Sequence, residues 1–187
     1  YISIDTHYTR SISLERDGYS PETTSSYIPT TRSLLTLNRL AETVSETNTP
    51  RSWALIGPYG SGKSSFAVFL AQLLNKSSKT ISADLLEKIK SSDHHLYKSL
   101  SGFLAENNGM LSILVTGSPE PLVPKFLKNL KLAIQTYWVN NNHVKSDLLV
   151  RVDKTISNTK VSLNEILELV EHVRIKVEKS NGLGILI

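Results

Sequence analysis

The chain has no cysteine, which excludes disulfide bridges and thiolate chemistry and suits a reducing compartment such as the cytoplasm. No apolar run approaches the roughly 20 residues that a helix needs to cross a bilayer, so no membrane partner is expected. The opening residues do not read as a secretory signal. Internal repeats and low-complexity tracts are absent. A strong charge of one sign is also missing. The net charge of +4 and pI near 9.2 permit nucleic acid as a partner without arguing for it. What remains is the composition of a globular domain: 187 residues, 40% hydrophobic and 20% charged, enough for a sizeable core.

Against that plain background one segment stands out. Gly57-Pro58-Tyr59-Gly60-Ser61-Gly62-Lys63-Ser64 satisfies the phosphate-binding pattern G-x-x-x-x-G-K-[ST] at every fixed position. Its surroundings agree. Trp53-Ala54-Leu55-Ile56 is a short apolar run suited to a buried strand, and Phe66 to Leu74 is a helix-forming segment. The chemistry follows from the atoms. Gly60 and Gly62 admit backbone angles closed to other residues, so the amides of Gly60 to Ser65 can converge into a nest of N–H donors. The first turn of the following helix adds unpaired N–H groups and the positive end of its dipole. The expected nucleotide-binding set is therefore Gly57, Pro58, Tyr59, Gly60, Ser61, Gly62, Lys63, Ser64 and Ser65. Lys63 supplies the ammonium that bridges the outer phosphates and is the catalytic candidate. The Ser64 hydroxyl is the expected protein ligand of Mg²⁺. Ser65 is placed to reach the first phosphate. The expected ligands are ATP and Mg²⁺; no guanine-reading N-K-x-D motif is present.

The rest of the chain alternates apolar runs with helical spacing. Residues 1–32 read as an amino-terminal arm, with Ile2/Ile4 and Ile12/Leu14 hinting at short strands and Asp17-Gly18 and Ser20-Pro21 at turns. Leu34 to Val44 has helical spacing and ends before Thr49-Pro50. Leu85 to Leu104 predicts one broken helix or two short ones. Met110 to Val115 predicts a strand, and Leu122 to Trp138 a long amphipathic helix. Residues 147–157 alternate weakly and are read as extended or irregular. The spacing predicts a helix over Leu163 to Lys179, opened by a capping box of Ser162 and Glu165 and stopped at Asn181-Gly182. Leu183-Gly184-Ile185-Leu186-Ile187 reads as a buried parallel strand.

Strands alternating with helices predict an α/β fold with a mostly parallel sheet covered on both faces. Only about three core strands are visible where an open sheet has about five or six. The first residue is Tyr1 rather than methionine, and the last apolar run stops abruptly. The expectation is that these residues are the amino-terminal part of a longer protein. Residues 33–187 would form the first portion of a P-loop NTPase domain, a three-layer αβα fold incomplete in this chain.

The loop G-P-Y-G-S-G-K-S-S-F-A, the strand L-S-I-L-V-T-G and the helix leading into N-G-L-G-I-L-I together resemble P-loop ATPases of the AAA+/STAND type. They are particularly similar to the amino-terminal region of large multidomain bacterial ATPases, several of which serve antiviral defence. The resemblance covers about residues 28–187. It implies that Tyr27-Ile28-Pro29-Thr30 lines an adenine pocket, beside the alternative of a plain turn anchoring the arm. It also implies that residues 183–187 form the Walker B strand, whose Asp-Glu pair would lie beyond Ile187. No residue present is assigned hydrolysis on this ground.

Other candidates are weaker. Thr116 ends a strand where it could sense phosphate or cap a helix. His94-His95 is adjacent rather than spaced for one metal, and His7, His143 and His172 form no ligand pattern. Lys125, Lys128 and Lys131 form a stripe better read as a solvated helix face than as a nucleic-acid contact. Arg10, Arg16, Arg32 and Arg51 are candidates for an arginine finger acting across subunits. Three functions remain: a motor or switch ATPase that self-associates or engages partner subunits, a regulatory or structural nucleotide binder with little hydrolysis, and a small-molecule kinase.

Overall fold

The computed structural model describes residues 11–45, 52–75, 79–107, 109–140, 146–158, 160–176 and 183–186. The chain divides into two compact units. The first takes Tyr1–Leu73 with Ile81–Ser101, and the second Leu74–Thr80 with Gly102–Ile187.

The first unit is built from helices. Two short ones, α1 (Leu14–Asp17) and α2 (Glu22–Ser25), precede α3 (Thr31–Ser45), α4 (Lys63–Leu73), α5 (Lys79–Lys90) and the start of α6 (His94–Asn107). The run at 85–104 is thus two helices separated at Ser91 to Asp93. The core is one cluster: Leu37 and Ala41 of α3, Phe66, Phe69 and Leu73 of α4, Leu85 and Ile89 of α5, and Leu96 and Leu100 of α6. These positions recur at three- and four-residue spacing, so each helix turns one apolar stripe inward. The α1 and α2 helices pack on α4. Ile12 precedes α1 in an irregular segment and Leu14 opens it, so the alternation there does not make a strand. The Ile2/Ile4 pair lies outside the described residues.

Trp53 to Ile56 differs from the expected buried strand. It is irregular, with Trp53 45%, Leu55 41% and Ile56 94% exposed. A strand exists only as a ladder, because its N–H and C=O groups need a neighbour. Among the described residues of the first unit there is no strand to provide one. Apolar composition alone therefore leaves this segment unpaired.

The second unit contains β1 (Leu111–Leu114) and β2 (Leu183–Leu186), joined through α7 (Leu122–Asn140), α8 (Ser146–Ser157) and α9 (Leu163–Lys176). The strands are parallel and in register, Leu111 opposite Leu183 and Ile113 opposite Ile185. Parallel neighbours need a long crossover, and the three helices provide it. An isolated parallel bridge, Asn75 with Met110, adds the Met110 N–H to Leu74 carbonyl bond at 2.5 Å. All four β1 residues are buried, as a covered parallel strand requires. The core joins Leu111, Ile113 and Val115 to Leu127, Leu130 and Ile134 of α7, Leu148 and Val152 of α8, and Leu169 and Val173 of α9.

Residues 147–157, read as extended, are helical. Leu148 and Val152 stand four apart and both are fully buried, so a 3.6-residue period outweighs the weak alternation. The capping box at α9 forms as expected: Glu165 accepts from the Ser162 amide at 2.7 Å, and the Glu165 amide donates to Ser162 Oγ at 3.3 Å. Lys179 and the Asn181-Gly182 stop lie outside the described residues.

Helix α6 is capped by Asp93, whose carboxylate accepts from the Leu96 amide at 2.9 Å and from the Asn38 side chain of α3 at 3.2 Å. The Leu96 N–H above all, and then the Asn38 amide, hold the Asp93 carboxyl below its ordinary pKa. A carboxylate with a lowered folded-state pKa contributes stability that is complete above its unfolded value and is lost as pH falls through the lowered one. Asp93→Ala should therefore lower the thermal midpoint at pH 7. Its deficit should shrink below about pH 4, the ordinary carboxylate value. Unfolding followed by circular dichroism between these conditions checks this, and a deficit that persists unchanged into strong acid would remove the charged cap from the account.

Candidate functional site

The segment Gly57 to Ser65 lies within the first unit and leads into α4. Gly60 and Gly62 both have positive φ, 78° and 80°. A Cβ on either would meet nothing within 4 Å, so the requirement for glycine is conformational and not one of space. The Gly62 carbonyl accepts the Phe66 amide at 2.9 Å, which makes Gly62 the residue that opens the helix. It has no side chain with which to cap the first turn. The amides of Lys63, Ser64 and Ser65 are therefore left as donors at the positive end of the helix, and that turn carries no acidic residue.

Lys63 folds back over the loop. Its ammonium donates to the carbonyls of Gly57 at 2.8 Å and Pro58 at 2.7 Å, and approaches Ser61 Oγ at 3.4 Å. The cation is thus held at the mouth of the loop by neutral acceptors. Ser64 is exposed and Ser65 half-buried in the first turn of α4. Tyr59, at the crest of the loop, is 97% exposed.

Tyr27 to Thr30 belongs to the same unit. The Tyr27 ring stacks on Phe69 of α4 with centroids 4.6 Å apart and planes 30° from parallel. Its burial pushes the phenol pKa up, partly offset by a hydrogen bond with Ser33. Ile28 is 80% exposed. Thr30 is the N-cap of α3: its Oγ1 accepts from the Ser33 amide at 3.2 Å and its carbonyl from the Leu34 amide at 2.9 Å. The segment therefore has one residue anchored on α4, one bound to α3, and apolar surface between them.

The other candidates fall elsewhere. Arg16 is paired with Asp17 and donates to the Ser11 carbonyl at 2.8 Å. Arg32 is exposed on α3, while Arg10 and Arg51 lie outside the described residues. In the second unit, Thr116 follows β1 and is half-buried, Lys125 reaches Ser118 Oγ at 2.9 Å, and Lys131 pairs with Asp153 at 2.6 Å. Lys128 is exposed, so the stripe is largely engaged within its own unit. Among the described residues no three His, Asp or Glu side chains gather as a metal site, and no helix is long and apolar enough to cross a membrane.

Sequence reasoning passed over two residues beside this site. Gln72 is the one polar side chain in the apolar run Phe66 to Leu74, and it is 2% exposed. Lys88 on α5 directs its ammonium at main-chain carbonyls rather than at solvent. The first was visible as a polar interruption of an apolar helix. The second had no sequence signal, because its acceptors are backbone atoms.

The model of the KAP family P-loop domain matches residues 35–179, and the chain belongs to that family. The match supports the αβα P-loop fold and a nucleotide-binding core. Comparison with curated proteins and with solved structures returned no match.

Thr30→Ala should destabilise the first unit by about 1 kcal/mol, the scale of a lost N-cap, and Thr30→Ser should restore it. Denaturant titration measures both. Equal stability of Thr30→Ala and the parent would show that the cap contributes nothing.

Proposed function

We propose that this chain is the nucleotide-binding core of a P-loop ATPase. The amides of Gly60 to Ser65 grip the phosphates of ATP, Lys63 bridges the outer ones, and Ser64 holds Mg²⁺. The observation that carries the reading is the pair of positive-φ glycines ahead of an uncapped α4, with a lysine ammonium already at the loop mouth. Phosphate oxygens are charged acceptors and outcompete the neutral carbonyls of Gly57 and Pro58 for that ammonium. With Mg²⁺ held there by the Ser64 hydroxyl, its charge would offset that of the phosphates. The exposed hydroxyl of Ser64 suits a hard, oxygen-seeking cation. Tyr27 to Thr30 receives the nucleoside end.

In this reading β1 and β2 are part of a larger, mostly parallel sheet, and residues 1–32 are an arm on the domain that starts near residue 33. Hydrolysis releases a conformation or assembly that bound ATP holds. The narrower kinship with AAA+/STAND ATPases, and a part in antiviral defence, rest on motif resemblance alone. A second reading, a regulatory nucleotide binder with little hydrolysis, shares the same grip on the phosphates. Phosphate release from ATP separates the two, since sustained turnover belongs only to the first.

Lys63→Ala should weaken Mg–ATP binding by about 1.5–3 kcal/mol, the scale of a hydrogen bond to a charged group. Calorimetry on the parent and the variant tests it. Unchanged affinity in the variant would take the site away from this loop.

A further inference from the structure

Gln72 lies on the third turn of the helix that Lys63 opens. Its amide donates to the Gly18 carbonyl at 3.2 Å and the Ser20 carbonyl at 2.7 Å, and its oxygen accepts from the Thr24 hydroxyl. Both Gln72 and Thr24 are essentially inaccessible to solvent. A buried amide with both ends bonded is a directional tie, unlike an apolar side chain, which packs without fixing a register. From the other side, the Lys88 ammonium of α5 donates to the carbonyls of Thr24 at 2.9 Å and Tyr27 at 3.3 Å, and also to that of Ser25. It thereby closes the end of α2. Tyr27 then stacks on Phe69. Residues 18–27 are thus strapped to α4 by a buried amide and a ring, and to the neighbouring α5 by an ammonium. The strap precedes the span, 35–179, that the family model matches.

Its position gives it a use. Phe69 stands six residues beyond Lys63, about 9 Å along the helix axis. A ligand whose phosphates sit at Lys63 presents its nucleoside, and not its phosphates, to a surface that far away. The strap ends at Tyr27, directly before exposed Ile28 and then Pro29, so its register sets where that apolar surface stands.

We propose that Gln72 and Lys88 are positioning residues for nucleoside recognition: Gln72 holds residues 18–24 on α4 and Lys88 holds residues 24–27 on α5, which packs in the same core as α4, so that the 27–30 segment stays at a fixed distance from the phosphate grip. The inference rests on the nucleotide reading given above. Neither residue touches the ligand; each acts through the strap. An inorganic triphosphate, which has no nucleoside, is therefore blind to them.

The test is calorimetry on the full-length protein with two probes, Mg–ATP and Mg–inorganic triphosphate. Gln72→Leu keeps the side-chain bulk and removes the amide. Lys88→Met keeps the stem at a partly exposed site, and so guards against a folding defect in the first variant. Both should weaken ATP roughly five- to tenfold, the scale of one lost hydrogen-bonded contact, and leave inorganic triphosphate within about twofold. Equal weakening of both probes, or unchanged ATP affinity in both variants, would overturn the proposal. So would a parent protein that binds inorganic triphosphate as tightly as ATP, which would leave the phosphate grip intact. A parent that binds neither probe would overturn the nucleotide reading itself, and this inference with it.

Discussion

The burial of Phe69 is the contact on which the first unit depends. Its ring is wholly removed from solvent, between the stripes of α3, α5 and α6, with Tyr27 stacked on it. Removing an aromatic side chain from water is among the largest single stabilising terms that a core position supplies. Here it also sets the direction of α4. A helix held firmly at its middle presents its first turn, with its uncapped amides, in one orientation. Packing energetics at residue 69 and the orientation of the open amides at the start of α4 are consequences of one rigid element.

The two ends of α4 then carry opposite chemistry. At the start, Gly62 leaves the amides of the first turn uncapped, which costs stability unless an anion satisfies them. Toward the far end, Gln72 is fully hydrogen-bonded inside the protein. The first donors stay open, while the closed ones hold a neighbouring segment. The same physical rule, that buried or converging polar groups must find partners, accounts for both.

Much of this was legible beforehand. The positive-φ glycines at 60 and 62, α3, the α5/α6 pair, β1, α7 and the capping box of α9 all follow from local spacing, because glycine torsions, caps and helical periodicity act over a few residues. The misreadings have a common cause. Trp53 to Ile56 has strand composition, but a strand needs a partner that its own residues cannot supply. Residues 147–157 carry a weak alternation that burial of Leu148 and Val152 overrides. Tyr27 to Thr30 was open between a pocket and an anchor, and the segment does contain anchors, at Tyr27 on Phe69 and at Thr30 on α3.

By itself the order of residues determined the loop: spacing Gly57, Gly62, Lys63 and Ser64 within eight positions puts main-chain donors and a cation in one segment, whatever the rest of the chain does. Only tertiary structure decided that a buried glutamine on the loop's own helix and a lysine on α5 would clasp the amino-terminal strap between them. Gln72 meets its partners 48 to 54 residues away, and Lys88 meets carbonyls 61 to 64 residues away. Contacts over such separations exist only after the chain has closed on itself, so no local pattern encodes them.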